Sequence, residues 1–109
     1  GLGVSNTVRG AVTQWAKTLA IELGSYNITV NNVLPGYTKT SRLDELAKSK
    51  SLDKKISVDK IYNEWANNNS VKRIGQPEEI ANAIIFLCEQ LSGYITGQNI
   101  IVDGGKLGI

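Results

Sequence analysis

Apolar residues recur every three or four positions along the first part of the chain. They are Val4, Val8, Ala11, Val12, Trp15, Leu19 and Leu23. This spacing predicts a long amphipathic helix from about Leu2 to Leu23. Gly24 is expected to end the helix, because glycine adopts the left-handed conformation of a C-terminal cap without steric cost.

Two short segments have the pattern of strands. Ile28–Leu34 is mostly apolar and β-branched and stops at Pro35-Gly36, which predicts a buried strand. Gln98–Val102 has the same character and stops at Asp103-Gly104-Gly105. Strands separated by helices are typical of an α/β fold with a parallel sheet.

Two segments between the predicted strands have a helical pattern. Residues 41–69 are helix-prone, polar and lysine-rich, and Pro77 followed by Glu78 and Glu79 predicts another helix start. The core face of this last helix is predicted to run as far as Ser92-Gly93. Its residues are Ile80, Ala83, Ile84, Leu87, Cys88 and Leu91. Because Cys88 lies within this apolar pattern, it is predicted to be a buried, reduced thiol and not a nucleophile.

This set of elements does not make a complete sheet. The two predicted strands account for about a tenth of the chain, whereas sheet-containing domains usually have about a fifth or a quarter of their residues in strands. Two parallel strands alone also leave exposed edges. We therefore expect the missing strands to come from residues upstream of this sequence or from neighbouring copies of the chain.

Composition limits the possible functions. The chain has 109 residues, 41% of them hydrophobic and 20% charged, with a net charge of +2, which predicts one soluble domain without the basic excess of a nucleic-acid-binding protein. No apolar stretch approaches the roughly 20 residues that span a bilayer, and the N-terminus has no signal-peptide pattern. A cytoplasmic location is expected, with small molecules or other subunits as partners and no nucleic acid or membrane. The absence of histidine excludes His-based catalysis, and no metal site is predicted.

The segment Asn31–Thr40 is the most informative for function. An apolar strand stops at Pro35-Gly36 and opens into the hydroxyl-bearing residues Tyr37, Thr38 and Thr40. Ligands of parallel α/β sheets bind beyond the carboxyl ends of the strands, so this turn is a candidate binding site. The alternative is that Pro-Gly only terminates a strand.

Four blocks of the sequence resemble the short-chain dehydrogenase/reductases, and within that family the 3-oxoacyl-acyl-carrier-protein reductases. The blocks are Ala16–Leu23, Ile28–Gly36, Arg73–Ala81 and Tyr94–Gly105. The resemblance implies a Rossmann-like, doubly wound parallel sheet and an enzyme that transfers hydride between NAD or NADP and a small-molecule carbonyl or alcohol substrate. It also implies assembly into homo-oligomers.

By this resemblance, residues 1–109 are the C-terminal segment of a single NAD(P)-binding domain whose N-terminal half is absent, so the sheet is incomplete in this chain. We expect NAD or NADP to bind the intact protein and no cofactor to bind this fragment, which should be inactive alone. Residues 41–70 correspond to the substrate-lid helices. Their apolar underside is predicted to consist of Leu43, Leu46, Leu52, Ile56, Val58, Ile61, Tyr62 and Trp65, with Lys48, Lys50, Lys54, Lys55 and Lys60 facing water.

The resemblance assigns the catalytic positions to Ser5 and Arg9. These residues stand where the family has its Tyr-x-x-x-Lys pair, and residues four apart share one helix face. A serine hydroxyl is a much weaker acid than the family's tyrosine, whereas Arg9 keeps a positive charge that can hold the cofactor ribose. The pair is either a divergent catalytic centre or a relic of one, and without the resemblance both residues would be assigned to a solvated helix surface.

The same resemblance places the nicotinamide end of the cofactor against Pro35, Gly36, Thr38 and Thr40. Glycine permits close backbone approach, and threonine supplies hydroxyl donors. The alternative function is a non-catalytic binding or assembly module that kept the dehydrogenase fold after losing the Tyr/Lys chemistry. In that case the long helix and the last strand would serve subunit association.

Overall fold

The computed structural model describes residues 3–106, which form four helices and two strands. The elements are α1 (Gly3–Leu23), β1 (Asn32–Pro35), α2 (Ser41–Lys54), α3 (Val58–Asn67), α4 (Pro77–Cys88) and β2 (Asn99–Val102), with 3-10 helices at Gly24–Tyr26 and Gln90–Ser92. The strands β1 and β2 are neighbours in a two-stranded sheet. The amides of Asn32 and Gly36 donate to the carbonyls of Gln98 and Val102, so the partner number rises along both strands and the pair is parallel. The predicted α/β class and incomplete parallel sheet are confirmed.

The described residues form two compact units. One unit comprises the residues up to 34 together with 83–100, and the other comprises 35–82 together with the residues from 101 on. Whether residues 1–109 make a single domain stays a prediction.

The first unit contains α1, whose predicted extent is confirmed from Gly3 to Leu23. Leu2, the predicted start, lies outside the described residues. Only Ala16 and Ala20 of this helix are buried, whereas Trp15 is 62% exposed. A Cβ built on Gly97 would lie 3.4 Å from the Cβ of Ala20, so the small residues of α1 sit close to the chain that enters β2. The apolar stripe predicted for α1 therefore has little cover from the rest of residues 3–106.

Two predictions for the chain after α1 are wrong in detail. Gly24 does not adopt the left-handed conformation, because the chain continues into a 3-10 helix and the left-handed residue is Asn27, with φ of 59°. Asparagine tolerates this conformation better than most other residues with a side chain. The strand predicted at Ile28–Leu34 is regular only from Asn32 to Pro35, and Ile28 is 47% exposed. The strand is not buried because, within residues 3–106, it pairs with β2 alone.

Helix α4 begins at Pro77, as predicted, but ends at Cys88, before Ser92. Cys88 is exposed, which contradicts the prediction of a buried thiol. The apolar pattern gives α4 a hydrophobic face, yet none of its residues is buried by the described part of the chain. Leu91, the last predicted core residue, is fully exposed in the following 3-10 helix.

The second unit has its core between α2 and α3. The buried residues are Leu43, Ala47, Ile61 and Trp65, and the partly buried ones are Tyr37, Leu46, Ile56, Val58, Tyr62 and Ile74. Thr40 and Ser57 cap α2 and α3, because their side-chain oxygens accept hydrogen bonds from backbone amides three residues later. The apolar underside predicted for residues 41–70 is confirmed except at Leu52, which is 79% exposed. The two helices bury this surface against each other.

The lysines of these helices follow the prediction with one exception. Lys48, Lys54, Lys55 and Lys60 are exposed, whereas Lys50 is half-buried. The end of β2 also follows its prediction. Gly104 and Gly105 have φ of 67° and 70°, and the Asp103 carboxylate accepts hydrogen bonds from the amides of Gly105 and Lys106.

Candidate functional site

The predicted site at the end of β1 lies in the second unit and is fixed from one side by β2. The amide of Gly36 donates to the carbonyl of Val102 at 2.9 Å. A Cβ built on Gly36 would lie 2.7 Å from both the Cα and the Cβ of Asp103. Glycine is therefore required here by the close approach of the chain beyond β2. This packing reason differs from the predicted one, which was access for a cofactor.

The other side of the turn is fixed by the segment before α4. Gly75 donates its amide to the carbonyl of Tyr37 at 2.9 Å, and Lys39 donates its amide to the carbonyl of Gly75 at the same distance. Backbone bonds to two separate segments thus hold the turn from Gly36 to Lys39. A turn anchored in this way is suited to presenting its groups in a fixed geometry.

Both threonines predicted to bind the cofactor already make local hydrogen bonds. The Thr38 hydroxyl donates to the carbonyl of Gly36 at 3.1 Å. The Thr40 hydroxyl oxygen accepts from the amide of Leu43 at 3.2 Å and caps α2. The Thr38 hydroxyl oxygen can therefore still accept hydrogen bonds, and the Thr40 hydroxyl can still donate one.

Tyr37 links the turn to the helical core. Its ring stacks on that of Trp65 in α3, with centroids 5.0 Å apart and planes inclined by 15°. Trp65 is only 4% exposed. Aromatic pairs at this distance add to the stabilisation that comes from burial alone.

Lys39 makes a second link to the same helices. Its ammonium lies 2.6 Å from a carboxylate oxygen of Asp44 in α2 and 3.1 Å from the hydroxyl of Tyr62 in α3. The Tyr62 hydroxyl in turn donates a hydrogen bond to the Asp44 carboxylate. The bond to Lys39 holds the pKa of Asp44 below its ordinary value, and the bond to Asp44 holds the pKa of Lys39 above its own. Burial and the adjacent Asp44 carboxylate raise the pKa of Tyr62.

The chain therefore has a Tyr–Lys pair, Tyr62 and Lys39, outside the positions of Ser5 and Arg9. Tyr62 is not set up as a proton donor to a substrate, because its hydroxyl donates a hydrogen bond to the Asp44 carboxylate, which stabilises the neutral phenol. A tyrosine with a raised pKa is a poorer acid at neutral pH. The arrangement is suited to holding α2 and α3 against the turn.

A cavity of about 230 Å³ lies beside the turn in the same unit. Tyr37 and Asp103 contribute to its wall, together with Arg73 and Glu79. Arg73 donates two hydrogen bonds to the Glu79 carboxylate, at 2.7 and 2.6 Å. These bonds, with a third from the amide of Gln76, lower the pKa of Glu79 to about 2. Of the predicted site residues, none lines this cavity; only their neighbour Tyr37 does.

Ser5 and Arg9 lie four residues apart in the first turns of α1, in the first unit. Ser5 is partly exposed and Arg9 is exposed. Within residues 3–106, neither side chain takes part in a hydrogen bond or an ion pair. The predicted site residues thus fall into two groups, one in each unit, and their roles stay predictions.

The first unit also has a wide cleft of about 1190 Å³ beside the residues that lead into β1. Thr29, Asn31 and Val33 contribute to its wall, together with Ile84 and Tyr94. The Asn31 amide donates to the carbonyl of Ile95 and its oxygen accepts from the amide of Gln98, so this side chain holds the two strand segments together. No predicted site residue is among those lining the cleft.

Sequence reasoning missed the residues that anchor the turn. The sequence pattern places Trp65 and Tyr62 on an apolar face and gives no role to Lys39 or Asp44. A local signal existed, since Tyr62 and Trp65 are three residues apart and must lie on one face of α3. The pairing with Tyr37 and Lys39 is a tertiary contact, which periodicity does not reveal.

The described part of the chain has no helix that is both long and apolar enough to span a membrane. Among the same residues, no group of three or more Cys, Asp or Glu side chains is arranged to hold a metal ion.

Comparison with known proteins gives consistent matches along the chain. Residues 1–106 match the family model described as enoyl-(acyl carrier protein) reductase. The short-chain reductase protein NovJ of Streptomyces niveus is 42% identical over 92% of this chain, and the 3-oxoacyl-acyl-carrier-protein reductase FabG of Chlamydia trachomatis is 40% identical over 89%. The chain covers only 37% and 35% of the lengths of these relatives.

A solved structure agrees with these matches. The L-sorbose reductase of Gluconobacter frateurii, complexed with NADPH and L-sorbose, aligns with 95% of this chain at a TM-score of 0.86 and 33% identity. The match covers 40% of that reductase chain.

Proposed function

This chain belongs to the short-chain dehydrogenase/reductase family, and we propose that it is the C-terminal part of an NADPH-dependent reductase acting on a small-molecule carbonyl compound. The observation that carries the proposal is the anchored turn at the end of β1. Backbone bonds from Gly36 and Tyr37 to two other segments fix it at a position where parallel sheets bind ligands. The reaction is the transfer of hydride from the nicotinamide to the substrate carbonyl carbon.

Residues of this chain would hold the nicotinamide end of the cofactor. The backbone of Pro35 and Gly36 and the remaining hydrogen-bonding capacity of the Thr38 and Thr40 hydroxyls could bind the polar groups of the nicotinamide end. Arg9 would hold ribose hydroxyls, and Ser5 would hydrogen-bond the developing oxyanion. NADPH is proposed over NADH because it is named for the sorbose reductase complex and for the Bacillus subtilis reductase BacG, which is 33% identical to this chain.

Location and assembly are further parts of the same proposal. We propose that the parent protein is a cytoplasmic homo-oligomer. The 109-residue chain is expected to be inactive alone, since it covers a little over a third of the length of its relatives. Its sheet would be completed by the rest of the domain.

The test uses the full-length parent protein. NADPH and NADH are titrated separately while nicotinamide fluorescence is followed, and consumption of NADPH is then measured with a panel of ketones and acyl thioesters. Binding of NADPH together with its oxidation by at least one carbonyl compound supports the proposal. Absence of a response to both cofactors would refute it.

The second candidate is a non-catalytic binding module, and the observation that favours it is the pair Ser5 and Arg9. A serine hydroxyl cannot replace a phenol as proton donor without help. The double variant S5Y/R9K restores the acid–base groups of the family. A large gain in turnover, by about 10² or more, would mean that the site is intact and lacks only its acid. NADPH binding without turnover in both proteins would favour the module.

A further inference from the structure

We infer that Trp65 is a positioning residue for the turn at the end of β1, acting through the ring of Tyr37. This inference rests on the proposed function for its catalytic consequence. The structural part, that the stack fixes the turn, is independent of it.

The first step of the argument is the position of Tyr37. It is the central residue of the turn, with Gly36 before it bonded to Val102 and Lys39 after it bonded to Gly75. Its carbonyl accepts the amide of Gly75. Its ring is the side chain of this turn that packs against the buried cluster of α2 and α3.

The second step concerns what fixes the ring. Trp65 is 4% exposed and stacks nearly parallel to Tyr37, while Tyr62 packs edge-on against Trp65 with centroids 5.5 Å apart. Buried indole rings have few accessible rotamers in a close-packed core. Trp65 therefore offers a fixed flat surface that determines where the ring of Tyr37, and with it the turn, can lie.

The third step is that the polar contacts of Lys39 with Asp44 and Tyr62 cannot replace the stack in fixing the turn. Lys39, Asp44 and Tyr62 join the turn to the same helices, but the Lys39–Asp44 pair is roughly half-exposed and open to screening by salt. Exposed ion pairs contribute little under physiological conditions. The aromatic stack is thus the main side-chain contact between α3 and the turn at the end of β1.

The experiment compares variants of the full-length parent protein. W65L removes the stacking surface and W65F keeps an aromatic ring. I61A is the matched control, because it removes a fully buried side chain of the same cluster and keeps both aromatic residues. Y37L and Y37F repeat the test from the turn side if W65L does not fold.

The first readout is amide hydrogen exchange at Gly36, Lys39 and Gly75, whose bonds hold the turn. We expect protection in W65L to fall by about tenfold relative to I61A, with W65F close to wild type. Equal protection in W65L and I61A would overturn the inference, whether or not the protein binds NADPH. This readout separates failure of the inference from failure of the proposed function.

The second readout is the division of the effect between kcat and KM. Misplacing the nicotinamide should lower kcat by about tenfold or more, while the KM for NADPH, which depends mostly on contacts elsewhere, changes less. W65F should restore kcat, and I61A should keep it. A W65L enzyme with the kcat of I61A would contradict the inference.

Discussion

Gly36 and Asp103 pack so closely that there is no space for a side chain between them. A Cβ on Gly36 would lie 2.7 Å from two carbon atoms of Asp103, one of which belongs to the backbone and cannot rotate away. The ends of β1 and β2 are therefore held at a distance that only glycine permits. This contact fixes the Gly36 end of the turn of the candidate site.

The first prediction concerns this contact. Gly36→Ala should lower the free energy of unfolding by about 1–3 kcal/mol, because a methyl group forced into a close-packed contact displaces backbone. Gly10→Ala is the matched control, since a Cβ on Gly10 meets nothing within 4 Å and the residue lies inside α1. That substitution should stabilise the protein by about 0.5–1 kcal/mol. Urea denaturation of both variants measures the two changes in the free energy of unfolding, which should have opposite signs. An unchanged free energy of unfolding in Gly36→Ala would contradict the packing argument.

The second prediction concerns acid stability at Arg73 and Glu79. Folding lowers the pKa of Glu79 from 4.5 to about 2. The ionised carboxylate is thus favoured by the folded state, so its stabilising effect is complete above about pH 4.5 and is lost as the pH falls towards 2. The stability difference between wild type and Glu79→Gln should accordingly shrink over this interval.

Urea denaturation at a series of pH values measures that difference. Glu78→Gln is the control, because its carboxylate is adjacent in α4 and lies outside the Arg73 pair. The narrowing with pH should be larger for Glu79→Gln than for Glu78→Gln. A pH-independent difference for Glu79→Gln would show that the ion pair does not form in solution.

The third prediction concerns the titration of Tyr62. Its pKa is raised by burial and by the Asp44 carboxylate. Asp44→Asn removes the second cause, so the pKa of Tyr62 should fall part of the way to its ordinary value. Ultraviolet titration of tyrosinate, taken as the difference between each protein and its Tyr62→Phe counterpart, isolates this group.

Glu45→Gln is the control for that titration. Glu45 also lies in α2 but pairs with Arg42. It should leave the titration of Tyr62 unchanged. An unaltered Tyr62 in Asp44→Asn would mean that the Lys39–Asp44–Tyr62 contacts do not persist in solution.

The fourth prediction separates the two roles of Thr40. Thr40→Ala should cost about 1 kcal/mol of stability, because the amide of Leu43 loses its capping partner. Thr40→Asp keeps a preferred capping group but adds a negative charge beside the proposed cofactor site. It should keep the stability of the wild type and weaken NADPH binding by the parent protein. Stability measured by urea and affinity measured by nicotinamide fluorescence distinguish the roles, and Thr40→Ser should preserve both.

The sequence predicts correctly those helix and strand ends that depend on residues at the end itself. Pro77 starts α4, and Gly104 and Gly105 end β2 in the left-handed conformation. Predictions that depended on partners outside the local segment were less accurate. Cys88 belongs to an apolar pattern but is exposed, because the described residues include no element that covers this face of α4.

The candidate site was predictable to a similar extent. The turn from Gly36 to Lys39 follows β1, as the sequence indicates. The requirement for glycine at position 36 and the stack of Tyr37 on Trp65 are tertiary contacts. Periodicity places Trp65 on the inner face of α3 without identifying its partner. The functional roles of Ser5 and Arg9 come from family resemblance and await the tests described above.

The two tryptophans of the chain lie one in each compact unit, Trp15 at 62% exposure in the first and Trp65 at 4% in the second. Each unit therefore has its own optical reporter. In Trp15→Phe, the tryptophan fluorescence of this chain comes from Trp65 and should be shielded from a soluble quencher. In Trp65→Phe, it comes from Trp15 and should be accessible to the quencher. Denaturation curves of the two variants, followed by that emission, would reveal whether the halves melt together or in sequence.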